Sequence, residues 1–293
     1  MSSAKRHWLG TNDPYERLRL IETMDLDTQY REITQLFYAD FQSIMLTKGF
    51  NGFMFNNAAT RISRILSSTG ELEHRIAKRV VDTTLLATAV MQHGFKEGQG
   101  RDAARRVNAM HSRYDIHPDD FLAVAAEETL GSLELAERYG WRSVSEKEQE
   151  AVRLYYNHQA RAFGSTKELP APIADLKIFF SQYLDTALSY EPHNKALAHV
   201  LIKWYGERVP GPFRGLFRSL LVADLDPRIV RACGLRRPPK VLTHLARLLL
   251  RRVGRKDPVP DGVASGLEDL VRSVYPNGWT FDDLGTVKSK PAA

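Results

Sequence analysis

The stretch from Arg101 to Tyr114, RDAARRVNAMHSRY, most limits what this chain can fold into. At 3.6 residues per turn, Ala104, Val107, Met110, His111 and Tyr114 share one side of a helix, while Arg105, Arg106, Ser112 and Arg113 point away from it. Such a helix has to pack its apolar side on other elements, and that side carries a histidine. One reading is a core histidine hydrogen-bonded to a neighbour. The other is a metal ligand, because neutral imidazole in a dry pocket is a common donor to haem iron. Position alone leaves both open.

The same spacing recurs along the chain. Ile33, Leu36, Phe37, Phe41 and Ile44 mark a core-facing helix between Tyr30 and Met45, and Pro14 suits the first turn of a helix before it. Gly49, Gly52 and the phenylalanines Phe50, Phe53 and Phe55 precede a helix expected over 58–66. They form an aromatic plug between helices or let backbone approach a flat ligand. Ser68 with Glu71 has the form of a capping box opening a long helix that Gly94 closes. Pro118, Asp119 and Asp120 start another that Gly140 ends, and Ser145 with Glu148 opens a third over 146–162.

The fold class expected is therefore all-α, one large bundle-like domain. With 293 residues, 43% of them apolar, the chain can bury a sizeable core, and no seam divides it. The expected division is an N-terminal arm over 1–14, the helical domain over 15–256, and a C-terminal extension over 257–293 with a disordered tail from Gly285.

Several chemistries are excluded. A single cysteine, Cys233, allows no intramolecular disulfide and no thiolate cluster, which suits a reducing cytoplasm. The N-terminal MSSAKRHWLG lacks the apolar core of a signal peptide, and no apolar run is long enough to span a bilayer. No HExxH, nucleophile elbow or glycine-rich phosphate loop occurs. Among the other histidines, His117 precedes a proline and ranks below His111 as a ligand. His158 with Arg161 shares a face that looks either into the pocket or to the surface, and His193 and His199 fall on different faces.

The strings SSTGEL (67–72), KRVVDTTLL (78–86), RVNAMHSRY (106–114) and ERYGW (137–141) stand in that order. Together they resemble the family of the mycophenolic-acid-pathway oxygenase and the rubber oxygenase (latex-clearing protein), with similarity from about Tyr15 to Gly254. The resemblance implies an all-helical protein that encloses a pocket for haem b and uses dioxygen on a hydrophobic small-molecule substrate. Known family cases cleave carbon-carbon double bonds of isoprenoids. It implies that His111 ligates the iron, and that Arg79 and Thr83, which match an Arg-x-x-x-Thr pattern, act on the oxygen side. Without the resemblance, Arg79 reads as an arginine paired with a carboxylate and Thr83 as a threonine bonded to its own helix. Some rubber oxygenases carry a lysine just before that threonine, able to occupy the iron. Here the residue is Asp82, so the lysine cap is absent and rubber-type substrates are in question. Arg105, Arg106 and Arg113 are the candidates for the porphyrin propionates.

The net charge of +6 is concentrated at one end. Between Arg228 and Lys256 stand ten Lys or Arg residues and no acid. Within that stretch KVLTHLARLLLRRVGRK is a basic amphipathic helix whose apolar side carries Val241, Leu242, Leu245, Leu248 and Leu249. It is a terminal core helix with a solvated basic face, a peripheral membrane contact that brings a cytoplasmic enzyme to a lipid-soluble substrate, or a nucleic-acid contact. Few aromatics lie among the basic residues, which places nucleic acid last. The functional expectation is a haem-dependent oxygenase that cleaves or hydroxylates an apolar compound. The alternatives are a haem- or lipid-binding helical protein without turnover, or a basic membrane-surface module.

Overall fold

The computed structural model describes residues 13–45, 47–255 and 265–286. Its helices are α1 (Glu16–Thr23), α2 (Leu26–Asp40), α3 (Gln42–Met45), α4 (Lys48–Ala58), α5 (Thr60–Thr69), α6 (Glu71–His93), α7 (Gly98–His111) and α8 (Pro118–Tyr139). They continue with α9 (Glu146–Ala162), α10 (Ile173–Ala187), α11 (Pro192–Gly206), α12 (Arg214–Ala223), α13 (Pro227–Ala232), α14 (Lys240–Gly254) and α15 (Ser265–Val274). Among the described residues there is no strand, only an isolated bridge between Ala59 and Leu188. The all-α expectation therefore holds.

α8 is the helix around which the others pack. Its alanine- and leucine-rich sequence buries thirteen of its twenty-two residues, and α3, α4, α9, α10 and α14 all lie against it. A helix buried on most sides has to be apolar most of the way round, and small alanines let neighbours approach closely. Phe37, Phe41, Leu130, Leu133 and Tyr155 fill the core between α2, α8 and α9. A second core joins α4, α10, α11 and α13 around Phe55, Leu184 and Leu201. A third lies between α6 and α7, where Leu86, Val90, Ala103 and Val107 surround Leu284 from the C-terminal segment.

Most of the expected helix limits are observed. α9 has the complete capping box, with the Ser145 hydroxyl accepting from Glu148 N and the Glu148 carboxylate accepting from Ser145 N. Pro118 opens α8, Gly140 follows its end, and Gly94 follows the end of α6. One expectation fails. Ser68 lies inside α5 and donates to Ile65 O, so the Ser68–Glu71 capping box does not form, and Gly70 stands at the N-cap of α6 instead. The glycine-phenylalanine stretch is helical as α4, and the chain breaks only at Ala59, which turns extended to meet Leu188. Phe50 and Phe55 are core residues there, as the aromatic-plug reading has it.

α14 is turned round relative to the core-helix reading. Ala246 and Gly254 are buried and Leu250 packs on the core, while Val241 and Leu248 are 77% and 64% exposed. The larger part of its apolar stripe faces outward beside Arg251, Arg252 and Arg255, which are also exposed. Among the described residues no helix is long and apolar enough to cross a membrane.

Candidate functional site

α6 and α7 form a tight hairpin because glycine stands where they touch. A Cβ on Gly100 would meet Gly94 O at 1.9 Å, so no other residue lets the helices come this close. The hairpin brings Arg79 and Thr83 of α6 and His111 of α7 to the wall of one cavity, closed elsewhere by α5, α8 and α9. Its volume is about 380 Å³ and its surface is mostly apolar, from residues such as Ile65, Leu86, Val107, Phe121 and Val124. That size lies within the roughly 300–1,000 Å³ usual for small-molecule sites. The three site residues, adjacent neither in sequence nor on one helix, are thus brought together.

His111 is held in one tautomer. Its Nδ1 lies 3.0 Å from Phe163 O at the end of α9, and a carbonyl only accepts, so Nδ1 carries the proton. Nε2 is then the nitrogen with a free lone pair, and the ring is fixed edge-on against Phe121 at 5.4 Å. Burial lowers the His111 pKa; the Phe163 hydrogen bond works against this, and the nearby Arg79 charge adds to it. The imidazole is therefore neutral at neutral pH, the form that ligates a metal.

Arg79 has no carboxylate within ion-pair distance among the described residues, so the paired-arginine reading fails. Its guanidinium donates to Thr83 Oγ1 at 2.5 Å, and that hydroxyl donates back to Arg79 O at 2.8 Å. The threonine thus bonds to its own helix as expected and also orients the arginine. Burial pulls the Arg79 pKa down, with Asp82 and Glu71 opposing. A half-buried cation without a counter-ion, on an apolar wall, is a costly arrangement that attracts oxygen anions or polar ligands.

Asp82 does not line the cavity. Its carboxylate accepts from Lys78 Nζ at 2.5 Å, Tyr275 Oη at 2.5 Å and Gly285 N at 2.7 Å. The candidate propionate partners are also elsewhere. Arg105 is exposed and Arg106 donates to Leu284 O and Asp282 O, both on the side of α7 away from the cavity, and Arg113, past the end of α7, is exposed. His117 caps α8, accepting from Asp119 N. His158 stacks on Tyr30 outside the cavity, and His193 bonds Ser63.

One part of the site escaped the sequence reading. Glu128 of α8 and Tyr155, Tyr156 and Gln159 of α9 form the polar end of the cavity. Behind them Lys48 Nζ lies 2.6 Å from Glu127 and 3.2 Å from Glu128, and Tyr38 Oη bridges Tyr156 Oη at 2.5 Å and Ser132 Oγ at 2.8 Å. Burial drives Glu127 up to about 7; Lys48 opposes this, and the Glu128 charge adds to it. The available signal was Glu127–Glu128 itself, two acids in the middle of an alanine and leucine run.

The chain matches none of the curated proteins with which it was compared. A family model described as ER-bound oxygenase mpaB/B'/Rubber oxygenase, catalytic domain, matches residues 37–255. The match takes in the whole cavity except Gly285 and Thr286, and it leaves α1, α15 and the residues after them outside. This chain belongs to the mpaB/rubber oxygenase family, through the catalytic domain that makes its members oxygenases.

Proposed function

We propose that the protein is a haem b-dependent oxygenase that uses dioxygen to oxidise an apolar substrate held in the cavity. The observation that carries the reading is His111, a neutral imidazole with its Nδ1 proton fixed on Phe163 O, in the wall of an apolar cavity that also holds Arg79. Among the described residues no three His, Cys, Asp or Glu side chains gather as a metal-ligand set. A single histidine holds a metal only when the metal brings its other donors with it, as iron in a porphyrin does. The residues present fit that group: one imidazole ligand, apolar faces, and a cation with no carboxylate within ion-pair distance among the described residues.

His111 would hold the haem through Nε2, with the Phe163 carbonyl strengthening it as a donor. Haem, when bound, would supply the iron needed to activate dioxygen toward the substrate, chemistry that no side chain provides. Arg79, oriented by Thr83, gives the apolar wall hydrogen-bond donors and positive charge, and so favours negative charge developing on oxygen. Leu86, Val107 and Phe121 exclude water, which strengthens those interactions and shelters the substrate from side reactions. The outward apolar face of α14, flanked by arginines, would rest on an anionic lipid surface and bring the enzyme to substrates that partition there.

Reconstitution of the full chain with haem b tests the reading. The expected result is a strong Soret band and dioxygen uptake that depends on an isoprenoid alkene or a similar apolar compound. Haem binding with no uptake for any apolar substrate would make the protein a haem carrier, and a chain that stays colourless with excess haem would refute the cofactor.

A further inference from the structure

α6 carries two pairs of functional residues side by side. Arg79 and Thr83 line the cavity; Lys78 and Asp82, each one residue earlier, grip the C-terminal segment. The grip is dense. Asp82 takes the Tyr275 hydroxyl and the Gly285 N–H, and Lys78 Nζ donates to Asp283 O at 2.9 Å and Gly285 O at 3.1 Å. From the other side, Arg106 of α7 donates to Leu284 O at 2.7 Å and Asp282 O at 3.0 Å. Leu284 is fully buried between α6 and α7. Asp82 is itself sealed from solvent, so it loses much unless all of these partners stay in place.

What the grip delivers is Gly285 and Thr286 to the cavity wall. Gly285 has φ +83°, a backbone conformation that favours glycine, and a Cβ there would also have to displace the Met110 side chain of α7. Thr286 Oγ1 is buried with no hydrogen-bond partner. The segment lies beyond residues 37–255, which the family model matches, so this part of the wall stands outside the matched domain.

We propose that residues 275–286 form a specificity wall: clamped to α6 through Asp82, they close one end of the cavity and set the length of apolar chain it accepts. The proposal rests on the reading of the cavity as an apolar-substrate site. It adds that substrate length is read by a segment tied to the same turns of α6 that hold Arg79 and Thr83.

The test measures binding of straight-chain alcohols, from hexanol to hexadecanol, to the full chain as purified, by calorimetry, with no turnover required. Asp82→Ala releases the clamp, Arg106→Ala releases it from the other side should the first variant fold poorly, and Thr286→Phe thickens the wall. The wild type should show a length limit. Asp82→Ala and Arg106→Ala should move it to longer alcohols and Thr286→Phe to shorter ones, with amide exchange over 280–286 at least about tenfold faster in the clamp variants, as expected for loss of charge-assisted hydrogen bonds. An unmoved limit in all three variants would overturn the wall and leave the apolar cavity standing. No alcohol binding by the wild type would overturn both.

Discussion

Replacing Arg142 tests whether the wall carrying Tyr155 and Tyr156 is held from behind as the structure indicates. Arg142 lies in the short turn between α8 and α9, its side chain 3% exposed, between the fully buried carboxylates of Asp40 and Glu148. It donates to Asp40 Oδ2 at 2.7 Å, to Glu148 Oε1 at 2.6 Å and Oε2 at 2.9 Å, and to Ser143 O at 2.9 Å. Its guanidinium also lies over the Phe41 ring at 4.7 Å. Removing one partner of a buried ion pair costs roughly 3–5 kcal/mol, because the remaining charge has no solvent to return to. Here two carboxylates lose a partner, although Arg17 at 3.3 Å still reaches Asp40, so the upper half of that range is expected for Arg142→Ala. At roughly 2–3 °C per kcal/mol for a chain of this size, Tm should fall by about 8–15 °C in a calorimetric scan. Burial already holds the Asp40 pKa above its ordinary value, with Arg142 the main opposing influence, so the variant pushes it higher. A carboxyl raised in the folded state costs stability at high pH, and that cost fades as pH falls toward the unfolded value. The deficit should therefore be largest at neutral pH and shrink on acidification. The double variant Arg142→Met, Glu148→Gln, which leaves Asp40 to Arg17, should recover part of the loss. A fall in Tm below about 2 °C for Arg142→Ala, or a deficit that grows in acid, would refute the reasoning.

Arg79→Met should lower substrate-dependent dioxygen uptake roughly a hundredfold, the usual effect of losing a preorganised donor, with haem content retained by absorbance. Lys48→Ala leaves Glu127 and Glu128 facing each other in the interior and should cost roughly 3–5 kcal/mol in denaturant unfolding. Glu127 sits at about 7 even with Lys48 beside it, so this deficit should be smaller at about pH 6 than at about pH 8. For α14, the protein should sediment with phosphatidylserine-containing vesicles at low salt and less so as salt rises, and Leu248→Asp should abolish that without changing the fold by circular dichroism. Failure to sediment at low salt would remove the membrane role, and sedimentation that depends on neither salt nor Leu248 would remove α14 from it.

Much of the fold was legible because its signals are local. Ser145 with Glu148, Pro118 with the acids after it, and the glycines at 94 and 140 punctuate helices through their own backbone chemistry, and the helix ends fall where they stand. His111 was legible for a related reason: a polar residue on an apolar stripe has to be answered by something inside, and Phe163 O answers it. What escaped depends on partners distant in the chain. Asp82 looks like one more helix-surface acid until Tyr275 and Gly285, some two hundred positions on, are placed against it, and Gly285 with Thr286 read as part of a disordered tail for the same reason. Residues 287–293 of that tail, and positions 1–12 of the N-terminal arm, lie outside the described residues. The sequence leaves the orientation of α14 open between a core helix and an outward contact, because amphipathicity says which residues share a face, not whether that face meets the core or the solvent.

The imidazole of His111 as the protein's bond to iron is most directly tested by His111→Gly, reconstituted with haem b in parallel with the wild type and again with free imidazole added. The account predicts that the variant loses most bound haem and that imidazole restores the wild-type Soret position by entering the space left beside Phe163. Haem bound in full by His111→Gly, with a spectrum indifferent to imidazole, would contradict it.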